Sequence, residues 1–206
     1  MDKNTFVITL WSNEYWPVKM QDKYQLWEFS MLLESKDVIN GPLDQVYPLV
    51  RDDLSKIVPY LPNVDKVEVV EEKRLSEEQL EKLNHWYAKA EVPSFAKKFI
   101  KPELFSWKDH AFWNDKEHLV NYELESFWAN DLYDAKGTNY FKDLGDGTTE
   151  LRVTCELVIH ADKIPGVPKF LVKKVLPTVE NMIEKMLGPN LMALGKGLNQ
   201  YFKENS

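Results

Sequence analysis

Residues 149–160 alternate strictly, with Leu151, Val153, Cys155, Leu157 and Ile159 on one side of an extended chain and Glu150, Arg152, Thr154 and Glu156 on the other. A period of two over this length specifies a β-strand with one dry and one wet face; a helix would bring its apolar residues back every three or four positions. Asp146-Gly147 stands just before it, and this dipeptide supplies the positive φ of a tight hairpin turn, so Asn139–Leu144 is the expected antiparallel partner. The dry face of such a sheet has to be covered.

The cover is expected from the C-terminal third. After Pro165-Gly166-Val167-Pro168, the residues Leu171, Val175, Val179, Met182 and Met186 recur on one helical stripe, beside Leu176, Ile183 and Leu187. The stripe resumes through Leu191, Leu194, Leu198 and Tyr201-Phe202. A straight helix from Pro168 to Glu204 would run about 55 Å at 1.5 Å per residue, too long for a domain of 206 residues. Pro177 and Gly188-Pro189 are the expected breaks.

Between the chain start and the hairpin the pattern is mostly strand. Residues 1–23, with Trp11, Tyr15, Trp16 and Pro17, hold no sustained period and read as an extension packed on the domain; residues 24–206 read as one domain. From Tyr24, the residues Trp27, Phe29, Met31 and Leu33 share a face and predict a long strand that Asn40-Gly41-Pro42 ends. Leu43, Val46, Tyr47, Val50, Leu54 and Ile57 then follow helical steps, and Pro48, Pro59 and Pro62 divide this stretch into two short helices or one kinked helix. A strand is expected over Lys66–Arg74, with Val67 and Val69 on one face. Residues 77–83 have a helical composition, and Asn84–Ala90 reads as strand with Trp86 and Ala88 on one side. A helical turn is expected over Ser94–Ile100. Trp107, Asp109, Ala111 and Trp113 form one face of the next strand, and Val120, Tyr122 and Leu124 one face of the strand after it.

This order, together with Pro42 through Val50, Trp86, Lys101-Pro102-Glu103-Leu104 before Trp107-x-Asp109-x-Ala111-x-Trp113, and Pro165-Gly166-Val167, resembles the START-like, Bet v 1-type (SRPBCC) helix-grip superfamily. The resemblance runs from about Tyr24 to Glu204. It implies an α+β fold, in which a curved antiparallel β-sheet wraps around a long C-terminal α-helix, with two short helices after the first strand. It further implies a cavity between sheet and helix for a hydrophobic or amphipathic small molecule such as a lipid, sterol or polyketide. Fold does not fix activity, and the superfamily includes carriers and enzymes.

By strand parity the lining of that cavity is Trp27, Phe29, Met31, Trp86, Trp107, Asp109, Trp113, Tyr122, Leu124, Val153 and Cys155, with Met182 and Met186 opposite on the helix. Flat aromatics and adaptable methionines suit an apolar ligand, although side chains at this spacing are ordinarily core. Asp109 either points into the cavity, where a carboxylate needs a partner or a raised pKa, or caps a strand end. His85, His110, His118 and His160 have no nucleophile or second metal ligand at useful spacing, and no HxxxH or CxxC pattern calls for a metal or other cofactor. Cys155 reads as a small apolar core group. Arg152 is placed on the wet face, which weakens a cyclase reading that needs an inward arginine. Gly145-x-Gly147 occupies a hairpin and so is not a phosphate loop.

The formal net charge of −7 argues against a general nucleic-acid binder. No run approaches the ~20 apolar residues of a membrane span; Lys169, Lys173 and Lys174 allow transient contact with an anionic ligand or membrane surface at the cavity mouth. A single cysteine and an N-terminus without a secretory signal pattern fit a cytoplasmic protein. The first functional reading is a non-enzymatic binder, transporter or sensor of a hydrophobic ligand. The second is a cofactor-independent cyclase/aromatase-like or hydrolase-like enzyme using Asp109 and Tyr122, and the third an interaction module with a filled core.

Overall fold

The computed structural model describes residues 5–11, 28–89, 106–127, 133–160, 163 and 192–205, excluding the side chains of 5–11, 28, 29 and 88. The expected lining residues Trp27, Met182 and Met186, the helical turn at Ser94–Ile100, the helix breaks at Pro177 and Gly188-Pro189, and the mouth lysines lie outside them.

The strands are β1 (Thr5–Trp11), β2 (Glu28–Ile39), β3 (Val64–Arg74), β4 (Gln79–Ala88), β5 (Trp107–Asn114), β6 (Leu119–Ser126), β7 (Tyr133–Asp143) and β8 (Thr149–His160). They form one antiparallel sheet in the order β1-β2-β8-β7-β6-β5-β4-β3. From β3 to β8 each strand pairs with the next in sequence, and β2 then joins β8 along its whole length, from Glu28 opposite His160 to Ile39 opposite Thr149. The hairpin before β8 turns at Gly145 and Gly147, both at positive φ. Asp143 and Asp146 brace it by accepting hydrogen bonds from Gly145 and Thr148.

Within the stretch read as an extension packed on the domain, residues 5–11 form an edge strand: β1 pairs with β2 from Thr5 opposite Lys36 to Trp11 opposite Ser30. The helical composition of residues 77–83 is also overridden. Gln79–Leu83 belong to β4, where Leu80 and Lys82 turn inward and Glu81 faces Lys73 across the ladder. Burial of Leu80 outweighs the few tenths of a kcal/mol by which Glu, Gln and Lys favour helix. In β3, Val67 and Val69 share the inward face, opposite Trp86 and Asn84, but only Val67 packs on the core and Val69 is exposed; the register shifts flank the pair, between Val64 and Lys66 and between Val69 and Glu71.

Helix α1 (Leu43–Asp52) contains Pro48 and is followed by two 3-10 turns at Leu54–Lys56 and Val58–Tyr60. It buries Val46, Tyr47, Leu49 and Val50. Its C-terminal end is capped from the sheet: the Lys82 ammonium donates to the Arg51 carbonyl and pairs with Glu72 at 3.0 Å and Asp52 at 3.5 Å. A cation at this end complements the helix dipole and satisfies a free carbonyl. Helix α2, residues 192–205, lies against α1 and the end of β2. Asn199 donates to the Val38 carbonyl and accepts from the Asn40 N–H. A side chain at Gly195 would strike Asp37, and one at Gly41 would strike Phe202, so both glycines serve close approach.

Candidate functional site

Strand parity and register assemble the inward face. Its residues are Met31, Leu33, Ser35, Asp37 and Ile39 of β2, the even positions 80–86 of β4, and the odd positions 107–113 of β5. β6 adds Val120, Tyr122, Leu124 and Ser126, while β7 and β8 add their odd positions. One end is sealed. There Leu80, Trp113, Val120, Phe141 and Leu151 are buried against Val46, Tyr47, Leu198 and Phe202 of the two helices. At the other end of β4–β6 the same face keeps accessible surface at Trp86, Trp107, Asp109, Tyr122 and Leu124, with Tyr133 of β7 beside them. The buried cluster of Met31, Leu33, Ala135, Cys155, Leu157 and Ile159 forms its flank.

Asp109 is the centre of this accessible patch. The ladder places Asn84 on one side and Leu124 on the other, with Trp107 and Ala111 along its own strand. Its Oδ2 accepts from the Asn84 amide at 3.2 Å and from the Trp86 indole at 3.1 Å, while its Oδ1 is buried with no partner. Desolvation pushes its pKa up to about 6, against the pull of those two donors. The rings of Trp86 and Trp107 stack at 5.6 Å, 9° from parallel, forming an apolar wall next to the carboxylate. The orphan oxygen belongs to a pattern. Among the described residues the buried side-chain atoms without a hydrogen-bond partner are on Asp37, Asp109, Trp113 and Asn139, all on the inward face.

Tyr122 is held differently. Its ring lies over Gly137, where a Cβ would come within 2.4 Å of the hydroxyl and 1.9 Å of the Thr154 carbonyl. That hydroxyl donates to the Thr154 carbonyl at 2.8 Å, and the Thr154 side chain bonds the Thr138 backbone. Glycine therefore permits the close approach here, and tyrosine fills the space and satisfies the Thr154 carbonyl. Burial drives the phenol pKa far up, so Tyr122 is a structural donor and not a proton source near neutrality.

Of the lining residues expected from sequence, Trp86, Trp107, Asp109, Tyr122 and Leu124 gather in the accessible patch, whereas Met31, Trp113, Val153 and Cys155 are buried in the packed core. Phe29 holds its place in β2 opposite Ile159. The Cys155 thiol is pushed up to about 11 by burial, so it stays protonated and unreactive at neutral pH. Arg152 is on the outer face, bound to Glu34 at 2.8 Å. His110 contacts Glu125, and His160 contacts Asp134. Among the described residues no cluster of His, Cys, Asp or Glu has the form of a metal site. Asn84 was not singled out from sequence, although it shares the parity of Trp86; only the register shows that it meets Asp109. On the outer face, a shallow groove of about 310 Å³ runs past Leu32, Phe112, Asn121 and Thr154 and is crossed by the Lys136–Glu156 ion pair.

Neither a protein-family model nor a curated protein matches the sequence. Solved structures do match in fold. The Zhui aromatase/cyclase from Streptomyces sp. R1128 superposes with a TM-score of 0.58 at 13% identity, over 86% of this chain and 96% of its own. Norcoclaurine synthase from Thalictrum flavum gives 0.54 at 15% identity, over 87% and 90%. The di-domain ARO/CYC StfQ from the steffimycin biosynthetic pathway gives 0.56 at 12% identity, over 84% of this chain and 52% of that one. The chain thus has the START/Bet v 1-type helix-grip fold, with β1 at one edge of its sheet beside β2. No helix among the described residues is long and apolar enough to cross a membrane.

Proposed function

We propose that this protein binds a hydrophobic or amphipathic small molecule against the accessible end of the inward sheet face, as a carrier or sensor rather than as an enzyme. One observation carries the reading: the inward face is sealed by packed side chains at one end, yet at the other Trp86, Trp107 and Leu124 are only partly buried around Asp109, whose Oδ1 is buried without a partner. Aromatic side chains left partly uncovered on the inward face of a sheet, around a convergent polar group, are the usual lining of a small-molecule site. The solved neighbours of like fold, an aromatase/cyclase and a synthase, support an interior used for small organic molecules and do not assign this chain their reactions. The described residues offer Asp109 as the one acid near neutrality in the patch, with the Tyr122 phenol and Cys155 thiol held protonated, a poor set for acid–base or nucleophilic catalysis.

Native mass spectrometry of the purified protein, followed by solvent extraction, tests the reading together with titration of a neutral aromatic probe, ethylnaphthalene. A stoichiometric apolar adduct, or saturable probe uptake that Trp107→Ala weakens, supports it. A clean mass with no probe uptake overturns it in favour of a filled core. If an extracted compound is converted by the wild type and Asp109→Asn abolishes turnover without abolishing binding, the enzyme reading replaces the carrier reading.

A further inference from the structure

The accessible patch contains an electrostatic asymmetry that an apolar ligand alone would leave unresolved. Asp109 is held from one side by two neutral donors, the Asn84 amide and the Trp86 indole, both on Oδ2. Its Oδ1 receives no hydrogen bond, and no described Lys, Arg or His forms an ion pair with the carboxylate. The nearest inward cation along β4, Lys82, is committed to the Arg51 carbonyl, Asp52 and Glu72. His110, the neighbour in sequence, has the opposite parity and contacts Glu125. A buried anion with one satisfied and one empty oxygen is an expensive arrangement, unlike that of Asp115, which pairs with Arg51 and Arg74.

The flanking surface selects what resolves it. Trp86 and Trp107 form a parallel aromatic wall beside the carboxylate, and Leu124 stands opposite on the next strand. Indole faces attract cations and repel anions, and their apolar area suits a hydrocarbon or aryl body. Resting on the ligand-binding reading above, we propose that the ligand is an amphipathic amine: a hydrophobic body laid on Trp86 and Trp107, with a protonated nitrogen donating to the free Oδ1 of Asp109. A neutral hydroxyl would satisfy the lone pair and leave the charge uncompensated; an ammonium does both, and a carboxylic acid ligand is disfavoured by repulsion. No covalent step is involved.

The test compares three probes of one shape, naphthylethylamine, ethylnaphthalene and naphthylacetic acid, by calorimetric titration at pH 7.5 against the wild type and Asp109→Asn. The expected result is that the wild type prefers the amine over the hydrocarbon by roughly tenfold or more and binds the acid least, while Asp109→Asn takes up amine and hydrocarbon about equally. Equal wild-type affinity for amine and hydrocarbon overturns the amine assignment and leaves the binding site standing; this arm requires no variant to fold. An amine preference that survives in Asp109→Asn, with hydrocarbon uptake intact as the sign of folding, also overturns it by placing the recognition elsewhere. Failure of all three probes overturns the binding site and the amine assignment together.

Discussion

Two tryptophans on one strand and one face meet different fates. Trp113 is buried, its ring edge-on to Tyr47 at 5.4 Å and stacked on Phe141 at 6.5 Å, with helix α1 closing over it. Trp107 stacks, among the described residues, on Trp86 and keeps accessible surface. The same side chain in the same backbone setting is thus core at one end and available surface at the other. What separates them is cover: α1 and α2 press on the end of the sheet that holds Trp113.

The largest effect should fall at the sealed end. Trp113→Ala is expected to cost about 3–5 kcal/mol, since it opens a cavity between α1 and the sheet; a loss under ~1 kcal/mol in denaturant unfolding would erase the contrast. Next comes the charge at the open end. The folded state holds the Asp109 proton more tightly than the ordinary value of 3.8, with a pKa of about 6. Its contribution is therefore most favourable below pH ~4, and stability falls as pH rises through this window, by about 3 kcal/mol once Asp109 is ionised. Asp109→Asn should remove that component, flattening the pH dependence between ~4 and ~6 and leaving the variant more stable than wild type at pH 7. A variant with an unchanged pH–stability profile would show that Asp109 is solvated. Trp107→Ala should cost only about 1 kcal/mol in stability while lowering apolar-probe affinity, the reverse weighting to Trp113→Ala. The smallest effect belongs to the outer face, where Arg152→Ala should change stability by less than ~0.5 kcal/mol, because its pairing with Glu34 is exposed.

Much of this contrast can be traced in the sequence. The alternation of residues 149–160, the Asp146-Gly147 turn and the Trp107–Trp113 face each depend on neighbours a few positions away, so parity alone identified which side chains turn inward. Long-range covering is not written locally. Nothing around Trp113 or Val153 distinguishes them from Trp107, because burial depends on where α1 and α2 land. Residues 77–83 misled because Glu, Gln, Lys and Leu all favour helix, and the deciding fact, the burial of Leu80 on the inward face of β4, is tertiary. β1 escaped notice because Phe6-Val7-Ile8 run together without alternation, although two of the three are β-branched and suit a strand. Tyr122 showed its inward parity but not the close approach over Gly137 that places its hydroxyl on the Thr154 carbonyl.

The pairing of β2 with β8 also has a kinetic meaning. All other neighbours in the sheet are consecutive in the chain: β1 with β2, and β3 through β8 as an unbroken meander. Among the described strands, only the β2–β8 seam joins residues roughly a hundred or more apart. The molecule is thus two locally assembled pieces, a hairpin-like β1–β2 pair and a six-strand meander, that become one sheet when a single long loop closes. The rate of folding should be governed by that closure, so that changes along the seam, such as at Leu33 opposite Cys155, slow folding itself, while changes at β3, on the far edge, mainly hasten unfolding.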